Sequence, residues 1–278
     1  MTESYHSIVG LPRSGKTTFL AALWHLIDAG EIESQLVLDK LVGNHVHLNN
    51  LVDAWRRCQE VPRTPMGGDE EVTIYVHQPQ TGRRLVLGFP DLSGESFAEQ
   101  FATRTCNESY LEGADRVGGV LVFVNADRPT DGLTIADLGP AIEGEGSSEA
   151  KVTEWSPTHV PEQVKLVDLL QFLQRPPFGW RKRRLVVAVS AWDVVQSPGP
   201  TPDEWLAREL PFLDQFLRHN PDSFDLRVYG ISAQGGAITD ATRKALAAQV
   251  PSERITCVYQ NDVGHDITAP LLWLTGDE

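Results

Sequence analysis

The residues best suited to chemistry stand together near the start of the chain, at Gly10-Leu11-Pro12-Arg13-Ser14-Gly15-Lys16-Thr17. An apolar strand-like run, Ser7–Val9, leads into them, and an amphipathic helical pattern continues from Phe19. The two glycines let successive backbone amides turn inward, and the start of a helix adds the positive end of its dipole, so the loop forms an anion cradle. A lysine at that turn reaches the outer phosphates of a polyphosphate, and the hydroxyl after it completes the shell of a bound magnesium. Gly10, Arg13, Ser14, Gly15, Lys16, Thr17 and Thr18 are therefore expected to bind nucleotide, with Thr17 on Mg2+. Lys16 and Arg13 are the cations expected to offset charge during phosphoryl transfer.

A phosphate loop needs a carboxylate near its metal. Leu85–Phe89 is an apolar run that enters Pro90-Asp91-Leu92-Ser93-Gly94-Glu95. There Asp91 can hold magnesium through water, and the Gly94 amide can touch a γ-phosphate. Glu95 follows directly. A carboxylate can orient an attacking water but repels a triphosphate, so slow intrinsic turnover is predicted, with Glu95 in the catalytic set. Thr64, in the Pro/Gly-rich stretch around Arg63-Thr64-Pro65, is the candidate for closing on the metal and the γ-phosphate. Arg104, beyond Glu95, is a second arginine that can supply charge.

Two further turns follow apolar runs: Ser190-Ala191-Trp192-Asp193 after Leu185–Val189, and Ser232-Ala233-Gln234 after Leu226–Ile231. In this order the motifs resemble those of Ras-like P-loop GTPases of the translation-factor-related class. More narrowly, with the closing Pro270-Leu271-Leu272-Trp273-Leu274, the chain resembles the bacterial double-GTPase family found beside conflict and defence genes. The resemblance implies a guanine-nucleotide switch that uses GTP and GDP with Mg2+ and pairs with a second GTPase-like chain or another protein effector. It makes Asp193 the guanine reader, its carboxylate accepting from the ring imino and amino groups. Adenine lacks those two donors, and an unpaired carboxylate would disfavour it. It also makes Ser232-Ala233 the turn whose alanine amide, that of Ala233, reads the guanine carbonyl oxygen. The pattern departs from the family's Asn/Thr-Lys-x-Asp at Ala191, where a lysine stem would pack on the base; Trp192 offers packing instead. A catalytically inactive nucleotide-bound interaction module and an ATP-using P-loop protein are the alternatives.

The elements around these residues alternate short apolar runs with helical segments, as expected for an α/β fold: a three-layer P-loop NTPase with a mostly parallel sheet of about six strands. Strands are expected at Ser7–Val9, Val72–His77, Leu85–Phe89, Gly118–Val124, Leu185–Val189 and Leu226–Ile231, several reading as runs buried on both faces. The short link containing Gly82 suggests a hairpin, hence one antiparallel edge strand. Helical stripes run from Phe19 to Ile27, over Asp39–Arg57 with Leu41, Leu48, Leu51, Val52 and Trp55, and after Pro161 with Leu166, Leu169, Leu170 and Leu173. Another covers Pro202–His219, which Pro211 should kink or split. Residues 126–160 are rich in Pro, Gly, Ser and acids and read as a flexible insertion in a single domain spanning 1–278.

Composition narrows the class. The formal net charge of -14 argues against nucleic acid as a partner, because phosphate binding needs clustered cations. The run Arg181-Lys182-Arg183-Arg184 reads as a strand entry. No apolar run approaches the roughly 20 residues of a bilayer span, no secretory signal pattern opens the chain, and Cys58, Cys106 and Cys257 are too scattered for a disulfide framework. A cytoplasmic protein is expected.

Overall fold

Alternation along the strands decides which side of the sheet each helix covers. Val120, Val122 and Val124 belong to one buried cluster, and Leu121 and Phe123 to another on the opposite face. Leu185, Val187 and Val189 divide from Val186 and Ala188 in the same way. A strand shows successive side chains to opposite faces, so two apolar sets on one strand require cover on both sides. The computed structural model describes residues 5–42, 45–61, 72–89, 94–106, 117–127, 156–195 and 198–276.

The strands are β1 (Tyr5–Val9), β2 (Val37–Val42), β3 (Val72–His77), β4 (Arg84–Phe89), β5 (Val117–Asn125), β6 (Arg183–Ser190), β7 (Phe224–Ser232), β8 (Thr256–Tyr259) and β9 (Asp262–Gly264). They form one sheet in the order β2-β3-β4-β1-β5-β6-β7-β8-β9. Pairing is parallel from β4 through β1, β5 and β6 to β7. The α/β layered fold is as expected. The sheet is wider than the expected six strands, because antiparallel pairs extend it at both ends. The hairpin β3–β4 is present, with Val72 opposite Phe89 and His77 opposite Arg84; β2 then adds outside β3, so the antiparallel margin is two strands deep.

The helices are α1 (Lys16–Ala29), α2 (His45–Arg56), α3 (Gly94–Thr103), α4 (Glu162–Phe172), α5 (Pro202–Glu209), α6 (Pro211–Arg218), α7 (Arg243–Ala247), α8 (Pro251–Arg254) and α9 (Ala269–Leu274). Phe19, Leu20 and Leu23 of α1, Leu48, Leu51 and Trp55 of α2, and Leu271 and Trp273 of α9 cover one face. Phe97 of α3, Leu166 and Leu170 of α4, Trp205 of α5, and Leu213 and Leu217 of α6 cover the other.

Two expectations change. The helix expected from Asp39 begins only at His45, because Val37–Val42 pairs as a strand with β3 and Asp39 meets Arg84 at 3.1 Å. The helix expected over Pro202–His219 is two helices. Pro211 has no N–H to donate and opens the second, as the first ends at Leu210 with a non-helical φ of -131°. The basic run is largely structural. Buried Arg183 donates to the carbonyls of Gly179 and Arg181, while Arg184 donates to Trp273 O at 2.7 Å and lies over the Trp273 ring. The expected insertion falls mainly on residues 128–155, which lie outside the described residues. No described helix is long and apolar enough to cross a membrane.

Candidate functional site

The loop between β1 and α1 is built around its lysine. Lys16 is 5% exposed, and its ammonium donates to Gly10 O at 2.6 Å, Leu11 O at 3.0 Å and Ser14 Oγ at 3.3 Å. The charge is thereby held inside the turn, where an anion can exchange with the loop's own oxygens. Arg13 takes φ 64° and Gly15 φ 93°, both left-handed. Phe19 N–H donates to Gly15 O, closing the first turn of α1. The amides of Thr17 and Thr18 precede that bond and have no carbonyl four residues back within the helix, so they are donors for a ligand.

Gly15 is needed twice over. Its φ disfavours any side chain, and an added Cβ would lie 2.7 Å from both Cβ and Oγ of Ser190. That close approach lets Ser190 Oγ donate to Ser14 O at 2.8 Å. On the other side Asn125 Nδ2 donates to Arg13 O at 2.8 Å, and its Oδ1 accepts from Asp127 N–H at 2.9 Å. The ends of β5 and β6 therefore clamp the outer loop. Asn125 was not among the residues expected from sequence. Its signal is a polar amide ending a long apolar strand, at the same sheet end as the loop.

Beyond this clamp, Ala191 takes φ 53° and turns the chain into a short 3-10 helix, Trp192–Val194. The Trp192 ring rests on β7, which passes close because Gly230 has no side chain: a Cβ there would lie 2.3 Å from the indole. It also meets Trp205 edge-on, centroids 6.4 Å apart. Trp192 is thus packed against the sheet and does not line the cleft, contrary to the base-packing role expected for it. Its packing instead fixes the next residue. Asp193 Oδ1 accepts from Ser232 Oγ at 2.6 Å, and Ser232 Oγ accepts from Gly235 N–H at 3.1 Å. Two turns read separately from sequence are joined by this relay.

One open cleft of about 770 Å³ connects the two halves, a size suited to a nucleotide. Among the expected site residues, Arg13, Ser14, Gly15, Lys16, Thr17, Thr18, Glu95, Asp193 and Ala233 line it. Gly10 and Ser232 lie behind the wall as supports, and Gly94 opens α3. Thr64 and Asp91 lie outside the described residues. Gln59, Glu60, Val61 and Arg243 also line the cleft, and no local motif marks them. Arg104 stands elsewhere: it pairs with Asp168 of α4 and lies over the rings of Phe101 and Phe172, so it is not a charge donor to the cleft. The charged residues of the lining are Arg13, Lys16 and Arg243 together with Glu60, Glu95, Asp127 and Asp193. The Thr17 hydroxyl, at the start of α1, is an oxygen of the kind that can bind a divalent cation.

No curated protein matches the sequence. Among solved structures, the chain is similar to a bacterial selenocysteine-specific elongation factor, EF-Sec, at 13% identity and TM-score 0.37, covering 88% of this chain and 28% of that one. It is similar to Era of Aquifex aeolicus bound to GDP.AlF4- at 17% identity and TM-score 0.36, covering 90% and 58% of the two chains. A third is the signal recognition particle receptor SRb-GTP/SRX complex of Chaetomium thermophilum, at 11% identity and TM-score 0.41, covering 89% and 97%. The chain thus spans less than two thirds of the elongation factor and of Era. The family match is far more extensive: it runs over residues 7–274, taking in the phosphate loop, the Asp193–Ser232 relay and α9, and by it the chain belongs to the Double-GTPase 1 family of P-loop GTPases.

Proposed function

We propose that this protein is a guanine-nucleotide switch that hydrolyses GTP slowly and reports its nucleotide state to a protein partner. The observation that carries the reading is the pairing of two chemistries in one cleft. Lys16, Thr17 and the first amides of α1 suit a metal-bound polyphosphate, while the Asp193 carboxylate, held by Ser232 beside Ala233, suits guanine's imino and amino donors. The phosphate loop amides and Lys16 bind the β- and γ-phosphates. Thr17, with Thr64 and Asp91, would hold Mg2+, which when bound supplies electrophilic charge to the phosphoryl oxygens. Glu95 lines the cleft and orients water at the cost of repelling the triphosphate, which makes turnover slow. Arg13 offsets part of that repulsion. Arg243 lines the same cleft as Ala191, which leaves the base without a covering lysine stem. The double-GTPase family supports a second GTPase-like chain or an effector as partner, a cytoplasmic site where GTP is abundant, and a role in bacterial conflict or defence.

Calorimetry with GDP, a non-hydrolysable GTP analogue and ATP, each with Mg2+, tests the base assignment. Guanine nucleotides are expected to bind more tightly; ATP binding as well or better removes it.

A second reading, a nucleotide-stabilised interaction module without turnover, is favoured by Glu95 in the cleft and by Ala191. Phosphate release followed over hours, with Lys16→Ala as control, separates the two: retained intact GTP supports the module.

A further inference from the structure

Trp55 lies in the last turn of α2, 178 residues from the turn after β7, yet its indole N–H donates to Ala233 O at 2.9 Å. We propose that Trp55 is a positioning residue for base recognition, aiming the backbone amide of Gln234 at the carbonyl of a 6-oxopurine. The inference rests on the guanine-nucleotide reading above and deepens it.

In a trans peptide the carbonyl and the N–H of one unit point in opposite directions. The unit joining Ala233 to Gln234 is trans, since the cis bond among the described residues is Pro176-Pro177. Its carbonyl points into the core, at an indole that is 0% exposed. Its N–H, on Gln234, therefore points away from the core. Ala233 and Gln234 both line the cleft, and among the described residues no group accepts from the Gln234 N–H. The exposed direction of this peptide is thus a donor, fixed by a bond made on its buried side. A purine 6-carbonyl is the matching acceptor; the 6-amino group of adenine presents a donor instead.

Trp55 is itself held on several sides. The Arg254 guanidinium lies 4.8 Å from the ring centroid, and the His25 ring is 5.1 Å away. Gln234 Nε2 and Arg254 Nη2 both donate to Trp55 O at 3.4 Å. The chain leaves α2 at Arg56 and soon reaches Gln59, Glu60 and Val61, which form part of the same cleft wall.

Trp55→Phe removes the N–H together with the five-membered ring and keeps a six-membered aromatic ring beside Arg254 and His25; the packing lost with it acts on every ligand alike. The probes are GDP and 2-aminopurine riboside 5′-diphosphate, which lacks both the 6-carbonyl oxygen and the N1 proton of GDP, measured by calorimetry with Mg2+. The substitution is expected to weaken GDP about five- to tenfold, the worth of one well-aimed hydrogen bond, and to change the analogue less than about twofold. Equal weakening of both ligands marks a merely structural residue and overturns the proposal, as does an unchanged GDP affinity. Should the variant fail to fold, hydrogen exchange on the unaltered chain decides: the Gln234 amide is expected to be protected by GDP and not by the analogue, and equal protection or none overturns the proposal. If the unaltered chain shows no preference for GDP over the analogue, the guanine reading itself fails, before any substitution is made.

Discussion

Replacing Gly15 by alanine perturbs the place where the phosphate loop is pressed against β6. The new methyl would lie 2.7 Å from Ser190 Cβ and Oγ, far inside ordinary carbon contact. Ser190 has little room to yield: Cβ is fixed to the end of β6, and Oγ is committed to Ser14 O at 2.8 Å. Overpacking of this kind costs about 1–3 kcal/mol, and holding alanine in a left-handed conformation costs about 1–2 kcal/mol more. A loss of about 2–5 kcal/mol is therefore expected for Gly15→Ala in urea unfolding of the nucleotide-free chain. Ser190→Gly alone should cost about 1–2 kcal/mol, from the lost hydrogen bond and the added chain freedom. In the double variant the methyl has space, so only the left-handed backbone strain remains from the first change. The two substitutions should then couple favourably by about 1–3 kcal/mol in a double-mutant cycle. Additivity within about 0.5 kcal/mol would show that the contact does not press, and would refute this account of the loop.

Asp193→Asn leaves one acceptor where guanine presents two donors, and adds a donor that xanthine's 2-carbonyl can accept. GDP affinity should fall about tenfold or more, the scale of a lost bond to a charged group, while xanthosine diphosphate gains; competition calorimetry checks both, and unchanged GDP binding would remove Asp193 from the site. His6 is buried in β1, and burial, helped by the nearby Arg83 charge, lowers its pKa from 6.5 to about 4. The unfolded chain therefore binds a proton that the folded one refuses, so this contribution is complete above pH 6.5 and is lost as pH falls toward about 4. His6→Gln should reduce the fall in unfolding free energy across that window by about 3 kcal/mol, measured by urea titration at several pH values; an unaltered pH slope contradicts the assignment. Thr201 caps α5 in a reciprocal box with Glu204, accepting from its N–H at 3.3 Å while Glu204 Oε2 accepts from Thr201 N–H at 2.8 Å. Thr201→Ala is expected to cost about 1 kcal/mol of stability by thermal unfolding and to leave nucleotide affinity alone.

The phosphate half of the cleft was legible because its determinants are local. Eight consecutive residues specify a strand exit, a left-handed turn and a helix start, and each position has a steric or hydrogen-bonding reason that does not depend on distant contacts. The parallel strands were legible for a related reason: runs such as Leu185–Val189 are apolar at every position, which only a strand covered on both faces requires. Elements at the sheet margins were not. The Val37–Val42 run carries Asp39 and Lys40, so it lacks a clean period of two, and β9 is exposed throughout at three residues. Such strands are set by pairing with a neighbour, and pairing leaves little trace in local sequence.

The part of the cleft around Asp193 is assembled from distant pieces, and its order follows from physical dependence between them. Asp193 is aimed because Trp192 is seated on Gly230, and it is held because Ser232, at the end of the same strand as Gly230, donates to it. Ser232 in turn accepts from Gly235, whose turn contains the Ala233 carbonyl that Trp55 holds. Distant segments thus share one chain of donors and acceptors, and each residue in it looks ordinary in isolation: a serine after a strand, an aspartate in a turn, an apolar helix residue. Ala191 also makes sense in that setting. With φ 53° it turns the chain so that Trp192 faces the sheet, and the aromatic anchor of the turn serves to place the carboxylate. Arg243 and Gln59–Val61 belong to the same cleft wall and, on the proposed guanine reading, are what is left to cover a base. On the proposed guanine reading, specificity then depends less on any one side chain over the base than on how rigidly α2 and β7 hold the polar groups of Asp193, Ser232 and Ala233.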